Sequence, residues 1–169
     1  MAEAETTYAE FLQSMIGKSA GTSKVVVERG PVSVFADAVL DDNPVYHDAD
    51  AAKAAGFSGI PAPPTYPFIM EHWGKFAELQ TGEEVPNPMG EALGPLIAKG
   101  GLILHGEQEY IYHRPVVSGD VLLGEGKVVD AYQKESRGRT MTFVVTETNW
   151  TDESGAPVVT TRFNIIHRS

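Results

Sequence analysis

Eight consecutive residues carry most of the chemistry this chain could do: Asp41-Asp42-Asn43-Pro44-Val45-Tyr46-His47-Asp48. They bring together three carboxylates, a phenol and an imidazole. A carboxylate beside an imidazole can move a proton near neutral pH, the usual equipment of general acid–base catalysis. Asn43-Pro44 bends the chain, because proline fixes its own φ and drives the preceding residue out of the helical region. The titratable groups therefore belong to a loop, where functional side chains tend to be carried. The competing reading is a solvated loop in which one aspartate caps the next helix.

Two flanking segments must position this loop. Upstream, apolar residues at 32, 35, 36, 39 and 40 repeat with a helical period, after Pro31 at a first-turn position. Downstream, Asp50 to Ala55 predicts a helical turn closed by Gly56, followed by the crossing Gly59-Ile60-Pro61-Ala62-Pro63-Pro64-Thr65. Pro64 to Leu79 is apolar on nearly every side and predicts a buried helix of about four turns, with Trp73 in the core and His72 as a partly buried structural histidine. Thr81 to Lys99 shows no steady period and reads as a mobile or functional loop. Before all of this, Tyr8, Phe11, Leu12, Met15 and Ile16 mark a short amphipathic helix, and Ser23 to Glu28 a strand.

From Leu102 the pattern changes to four long strands, 102–113, 121–133, 139–152 and 157–167, joined by short turns that suggest an antiparallel meander. In the third, Thr140, Thr142, Val144, Thr146 and Thr148 share one face against Met141, Phe143, Val145, Glu147 and Asn149. His105 and His113, eight residues apart, are expected on one face with Glu107 and Glu109. A sheet curling around one buried helix gives an α+β domain.

Composition narrows the function classes. At 169 residues, a single domain spanning 1–169 is expected. A net charge of −10 supplies no basic footprint for nucleic acid and no polybasic membrane patch. With no cysteine, thiolate nucleophiles, thiolate metal sites and disulfides are excluded. The absence of a long apolar run or a leader-like start in Met1 to Ala20 makes a cytoplasmic location the expectation. No spacing points to a metal site.

Taken jointly, Asp41-Asp42-Asn43-Pro44, the Gly59–Thr65 crossing and Leu104-His105-Gly106-Glu107-Gln108-Glu109-Tyr110…His113-Arg114-Pro115-Val116…Gly119-Asp120 resemble the MaoC-like dehydratases, or (R)-specific enoyl-thioester hydratases. The chain is most similar to their N-terminal half-domain branch, which includes the first subunit of the mycobacterial-type (3R)-hydroxyacyl-carrier-protein dehydratase. The resemblance spans about residues 10–167. It implies a hot-dog fold with Pro64 to Leu79 as the central helix, packed in pairs as double hot dogs. It implies reversible hydration of a trans-2-enoyl thioester carried on coenzyme A or acyl carrier protein, with no further cofactor. The partner would be a second copy or a second MaoC-like subunit.

The family motif, Asp-x-Asn-Pro-x-His, implies catalytic roles for Asp41 and Asn43, with a histidine two residues after the proline. Tyr46 stands in that place and His47 follows one residue late; only Asp42 keeps the five-residue spacing to His47. A phenol with a pKa near 10 is only about 0.1% ionised at pH 7, a poor base. Pro64 replaces a residue that would offer a backbone N–H to the thioester oxygen, leaving Thr65 or Tyr66 as donors. Lys99 and Arg114 are candidate partners for coenzyme or carrier phosphates. Three readings follow: an acyl-binding subunit that works with a catalytic hot dog, a self-sufficient homodimeric hydratase using His47, and a non-enzymatic acyl-thioester binding protein.

Overall fold

A computed structural model describes residues 7–80 and 87–169. Thr7 caps the first helix, α1 (Tyr8–Met15), in a reciprocal capping box with Glu10. The chain continues through β1 (Ser19–Val26), α2 (Arg29–Ala38), a 3-10 turn at Pro44–Tyr46 and α3 (Ala49–Ala54). It then crosses to α4 (Met70–Gly74) and α5 (Pro88–Ile97) and finishes in β2 (Leu102–Tyr112), β3 (Val121–Ser136), β4 (Arg139–Asp152) and β5 (Pro157–Arg168). All five strands form one antiparallel sheet in the order β1-β3-β4-β5-β2. The four late strands match their sequence ranges closely, but the meander holds only for β3-β4-β5. The turn after β2 carries the chain across the sheet, so β2 lies at the far edge beside β5.

One face of the sheet carries the helices. Its residues on β4 are Thr142, Val144, Thr146, Thr148 and Trp150, so the threonine-rich face is the inner one. Two clusters fill it. Val25, Val27, Val32, Tyr66, Met70, Leu122 and Trp150 pack at one end; Leu12, Met15, Ala92, Leu93, Val128 and Val144 pack at the other. The opposite face bears a ladder of alternating charge across four strands. Arg162 bonds Glu147 at 2.7 Å and Glu109 at 3.0 Å, and Lys127 reaches Glu147 at 3.2 Å.

Three expectations are corrected. Pro64 to Leu79 is not one helix: a 3-10 turn at Tyr66–Phe68, the five-residue α4 and a 3-10 turn at Ala77–Leu79 replace it. Pro67 cannot donate a backbone hydrogen bond, and Lys75 takes an extended conformation (ψ 90°) that ends α4. Gly74 lies so close to β1 that a Cβ there would meet the Val26 carbonyl oxygen at 2.3 Å. Tyr66 and Met70 are in the core, yet Trp73 is 40% exposed.

Second, Thr81 to Lys99 is not one loop. Residues 81–86 lie outside the described residues, but α5 occupies most of the remainder, capped by Asn87 and with Pro88 in its first turn. Third, a bulge in β2 between His105 and Gln108 breaks the two-residue alternation. His105 pairs opposite Ile165 on the inner face, whereas Glu109 pairs opposite Arg162 on the outer face. His113 lies 3.5 Å from Thr160 on that same outer side, so the two histidines are on opposite faces.

Among the described residues no helix is long and apolar enough to cross a membrane.

Candidate active site

The loop Asp41–Asp48 is built from its own side chains. The Asn43 side chain accepts from the Val45 N–H at 3.2 Å, and Asp41 accepts from the Asn43 N–H at 3.2 Å. Asp48 accepts from the Ala51 N–H at 2.7 Å and so caps α3. Arg29, at the start of α2, donates to the backbone carbonyls of Tyr46 and His47 and ties the loop to the helix. The family's asparagine and one aspartate are thus doing loop geometry here.

The two residues competing for the catalytic register face different surroundings. Nε2 of His47 lies 3.2 Å from the Asp41 carbonyl oxygen and Nδ1 lies 3.4 Å from the Ser33 hydroxyl. A carbonyl only accepts, so Nε2 carries a proton towards Asp41, and Nδ1 pairs with the Ser33 hydroxyl. Asp37 on α2 stands 3.9 Å from Nε2. Both ring nitrogens are therefore engaged with α2 and the loop backbone. His47 does not line the neighbouring cavity; Tyr46 does.

That cavity, about 410 Å³, lies between the loop, the crossing and the end of β2. The crossing forms its floor by pairing with the chain after β2: the Ala62 N–H donates to the Val116 carbonyl and the Ser118 N–H to the Ile60 carbonyl, both at 2.8 Å. Phe57, Pro61, Ala62, Pro64 and Val116 give it apolar walls, and Tyr46 and Tyr112 bring phenols. Both hydroxyls are held protonated. Burial, then the negative Asp41 nearby, raises the Tyr46 pKa. Burial, then Tyr110 and Tyr46, raises that of Tyr112, whose hydroxyl donates to the Pro64 carbonyl at 2.9 Å. The Tyr46 phenol is left as a proton donor to the cavity; the imidazole on its wall is that of His113, 3.5 Å from the Thr160 hydroxyl, and not that of the loop's His47.

The remaining candidates separate. Pro64 lines the cavity, and Thr65 is exposed at its margin. The Tyr66 N–H is already bonded to the Pro63 carbonyl at 2.9 Å, and its ring is fully buried against Phe35, with the hydroxyl pushed up to about 12 by burial and by Glu28. Tyr66 is a core residue and not an oxyanion donor. Arg114 reaches the cavity wall but forks onto Asp120 at 2.8 and 3.1 Å, with Asp152 at 3.4 Å. Its charge is spent on the turn after β2. Lys99 is exposed just beyond the end of α5 and does not line the cavity. Asp42 is exposed on the loop and lies outside the cavity lining as well. Sequence reasoning missed Tyr112 and Phe57. A period-two reading past the bulge could have found Tyr112; nothing local marks Phe57.

Comparison with known proteins converges on one family. Residues 14–161 match the model described as "FAS1-like, dehydratase domain region". A "UPF0336 protein" of Streptomyces avermitilis is 34% identical over 158 residues, covering 93% of this chain and 95% of its own. The "Probable enoyl-CoA hydratase alpha subunit" of Thermomonospora curvata is 29% identical over 171 residues, covering 94% of this chain but only 51% of that subunit. Among solved structures, the ChsH1-ChsH2 complex from Mycobacterium tuberculosis superposes with a TM-score of 0.71 at 20% identity, covering 95% of this chain and 88% of the other. With the family model spanning nearly all of the strands, helices and loop described above, the chain belongs to the FAS1-like dehydratase domain family and has its hot-dog fold.

Proposed function

We propose that this chain is the acyl-thioester-binding component of a (3R)-hydroxyacyl-thioester dehydratase, or enoyl-CoA hydratase, and that the proton-transferring histidine comes from a second hot dog. One observation carries the reading: Tyr46, not His47, faces the cavity, while His47 is bonded on both nitrogens to Ser33 and the Asp41 backbone. Hydration needs a group that is unprotonated near pH 7 beside the bound water. The phenols, whose pKa values are raised, do not meet that need, and the imidazole on the wall, His113, lies off the Asp-Asn-Pro loop; the Tyr46 hydroxyl can donate a hydrogen bond to a thioester oxygen, while that of Tyr112 is given to the Pro64 carbonyl. The apolar walls suit the first carbons of an acyl group.

The second hot dog has an edge to join. The amide of Gln80 covers the outer side of β1, accepting from the Lys24 N–H at 3.0 Å and donating to its carbonyl at 2.8 Å. The β2 edge has no such cover among the described residues. Leu102, Ile103, Ile111 and Tyr112 are 50, 46, 43 and 38% exposed along it. An apolar, unpaired edge strand is a template for pairing with another chain. The printed name "alpha subunit" of one relative and the two-protein complex of one structural neighbour support a partner.

The test is calorimetric titration of crotonyl-CoA into the purified chain and into Ala62→Trp, which fills the cavity. Binding by the wild type, lost in a folded Ala62→Trp variant, is expected. Equal binding by both would place the thioester elsewhere and end this reading.

A further inference from the structure

The β2 edge that would receive a second hot dog carries two carboxylates near its middle. Glu107 and Glu109 lie in the eleven-residue Leu102–Tyr112 strand, and both line a hollow of about 440 Å³ on the outer face of the sheet. Glu107 is fixed in place at the β2 bulge. There the Asn164 side chain accepts from its N–H at 2.7 Å and donates to its carboxylate at 3.1 Å. Asn164 is only 9% exposed, so this clamp is built into the sheet. Among the described residues no cation pairs with Glu107, and the Arg162 guanidinium is already shared between Glu109 and Glu147.

A strand pairs with an antiparallel copy of itself about a two-fold axis, so residues equally spaced on either side of the axis face each other. Full overlap of Leu102–Tyr112 puts that axis at residue 107. Glu107 then faces the Glu107 of the second copy, with a Glu109 two places away on either side. Moving the axis to residue 108 sets Glu107 against Glu109, and moving it to 109 sets Glu109 against itself. Like charges directly opposite one another on paired strands destabilise the pair. The whole chain adds to the repulsion, because each copy brings a net charge of −10. Leu102 and Ile103 at one end of the edge and Ile111 and Tyr112 at the other favour pairing; the carboxylates between them decide the partner.

We infer that the β2 edge discriminates by charge: it disfavours a second copy of this chain and selects a different hot dog whose edge strand sets a lysine or arginine opposite Glu107. This rests on the reading of the chain as one half of a pair and adds the chemistry of the other half. In the selected pair Glu107, held by Asn164, gains a cation, and Glu109 keeps Arg162. Specificity of this kind comes from repulsion of the wrong partner as much as from attraction to the right one.

The test uses a charge-reversed copy of this chain as the basic-edged partner. Full-length wild type, labelled at its N-terminus with a fluorophore, is titrated with unlabelled wild type, Glu107→Lys, Glu107→Gln and Glu153→Lys, at low salt and in about 0.5 M salt. Glu153 is exposed on the turn between β4 and β5, so Glu153→Lys makes the same change in net charge away from the β2 edge. At low salt the wild type should pair with Glu107→Lys about tenfold more tightly than with itself, the difference between a like and an opposite charge pair across strands. Glu107→Gln should show a smaller gain, Glu153→Lys none, and high salt should erase the differences. Equal affinity for the wild type and for Glu107→Lys at low salt would overturn the inference. So would an equal gain from Glu153→Lys, which would make net charge the cause, and so would the absence of pairing in every mixture. Titration of crotonyl-CoA into the same wild type keeps the two readings apart. Thioester binding without a charge preference removes only this inference; a charge preference without thioester binding removes only the acyl-binding reading.

Discussion

Tyr46 and His47 are neighbours with opposite fates, and the difference follows from one residue of register. The Asn43-Pro44 turn places the second residue after the proline towards the crossing and the third towards α2. Replacing Tyr46 by histidine should put an imidazole into the pocket near Asp41. Tyr46→His is expected to raise crotonyl-CoA hydration by the isolated chain by about 10², the low end of what one positioned acid–base group contributes. A rate unchanged from the wild type would mean that Asp41 and position 46 do not form a catalytic pair. His47→Ala should instead act on stability. It strands the Ser33 hydroxyl and the Asp41 carbonyl, and the loss of a net hydrogen bond or two costs about 1–2 kcal/mol. Urea unfolding should show this without a change in crotonyl-CoA affinity. The substitution of tyrosine in the histidine register was legible in the residues themselves. The engagement of His47 was not, because its partners Ser33 and Asp37 lie 14 and 10 positions earlier and meet it only once α2 has formed.

At the scale of elements, the four late strands were legible because each is long, rich in β-branched and aromatic residues and bounded by a turn. The helical half was less so. Met89, Ala92, Leu93 and Leu96 do carry a helical spacing in α5, but Gly90, Gly94 and Pro95 mask it. The converse holds for Pro64–Leu79, where continuous apolarity promised one long helix and Pro67 with the close approach of Gly74 to β1 broke it. The β2 bulge was invisible to a strict period of two and inverted the faces of His105 and His113. On the outer face, the Glu109-Arg162-Glu147-Lys127 ladder makes a prediction about pH. Bonds from Arg162, aided by Lys127 and opposed by burial, lower the Glu147 pKa below its ordinary 4.5. A carboxyl depressed in the folded state contributes stability above its unfolded pKa and loses it as pH falls through the folded value. The urea midpoint should therefore decline on acidification below about pH 4.5, and Glu147→Gln should flatten that decline while lowering the midpoint at pH 7. Parallel curves for the two proteins would remove the ladder from the account of stability.

At the scale of the molecule, two sheet edges are treated differently. β1 is covered by Gln80, whereas β2 presents Leu102, Ile103, Ile111 and Tyr112 to solvent beside the thioester pocket. Ile111→Lys, which places a charge on that edge, should shift the mass seen by light scattering to that of a single chain of 18.3 kDa and leave the fold intact by circular dichroism. A wild type that is itself a single chain at micromolar concentration would set pairing aside, unless a different subunit is required. The central claim is that this hot dog binds the thioester and borrows its histidine. The most direct measurement is the rate of crotonyl-CoA hydration by the purified chain, alone and co-expressed with a hot dog that keeps the full Asp-x-Asn-Pro-x-His motif. The account predicts little or no turnover alone and ordinary enzymatic turnover in the pair. Full turnover by the isolated wild type, abolished in His47→Ala, would contradict it and make the chain a self-sufficient hydratase.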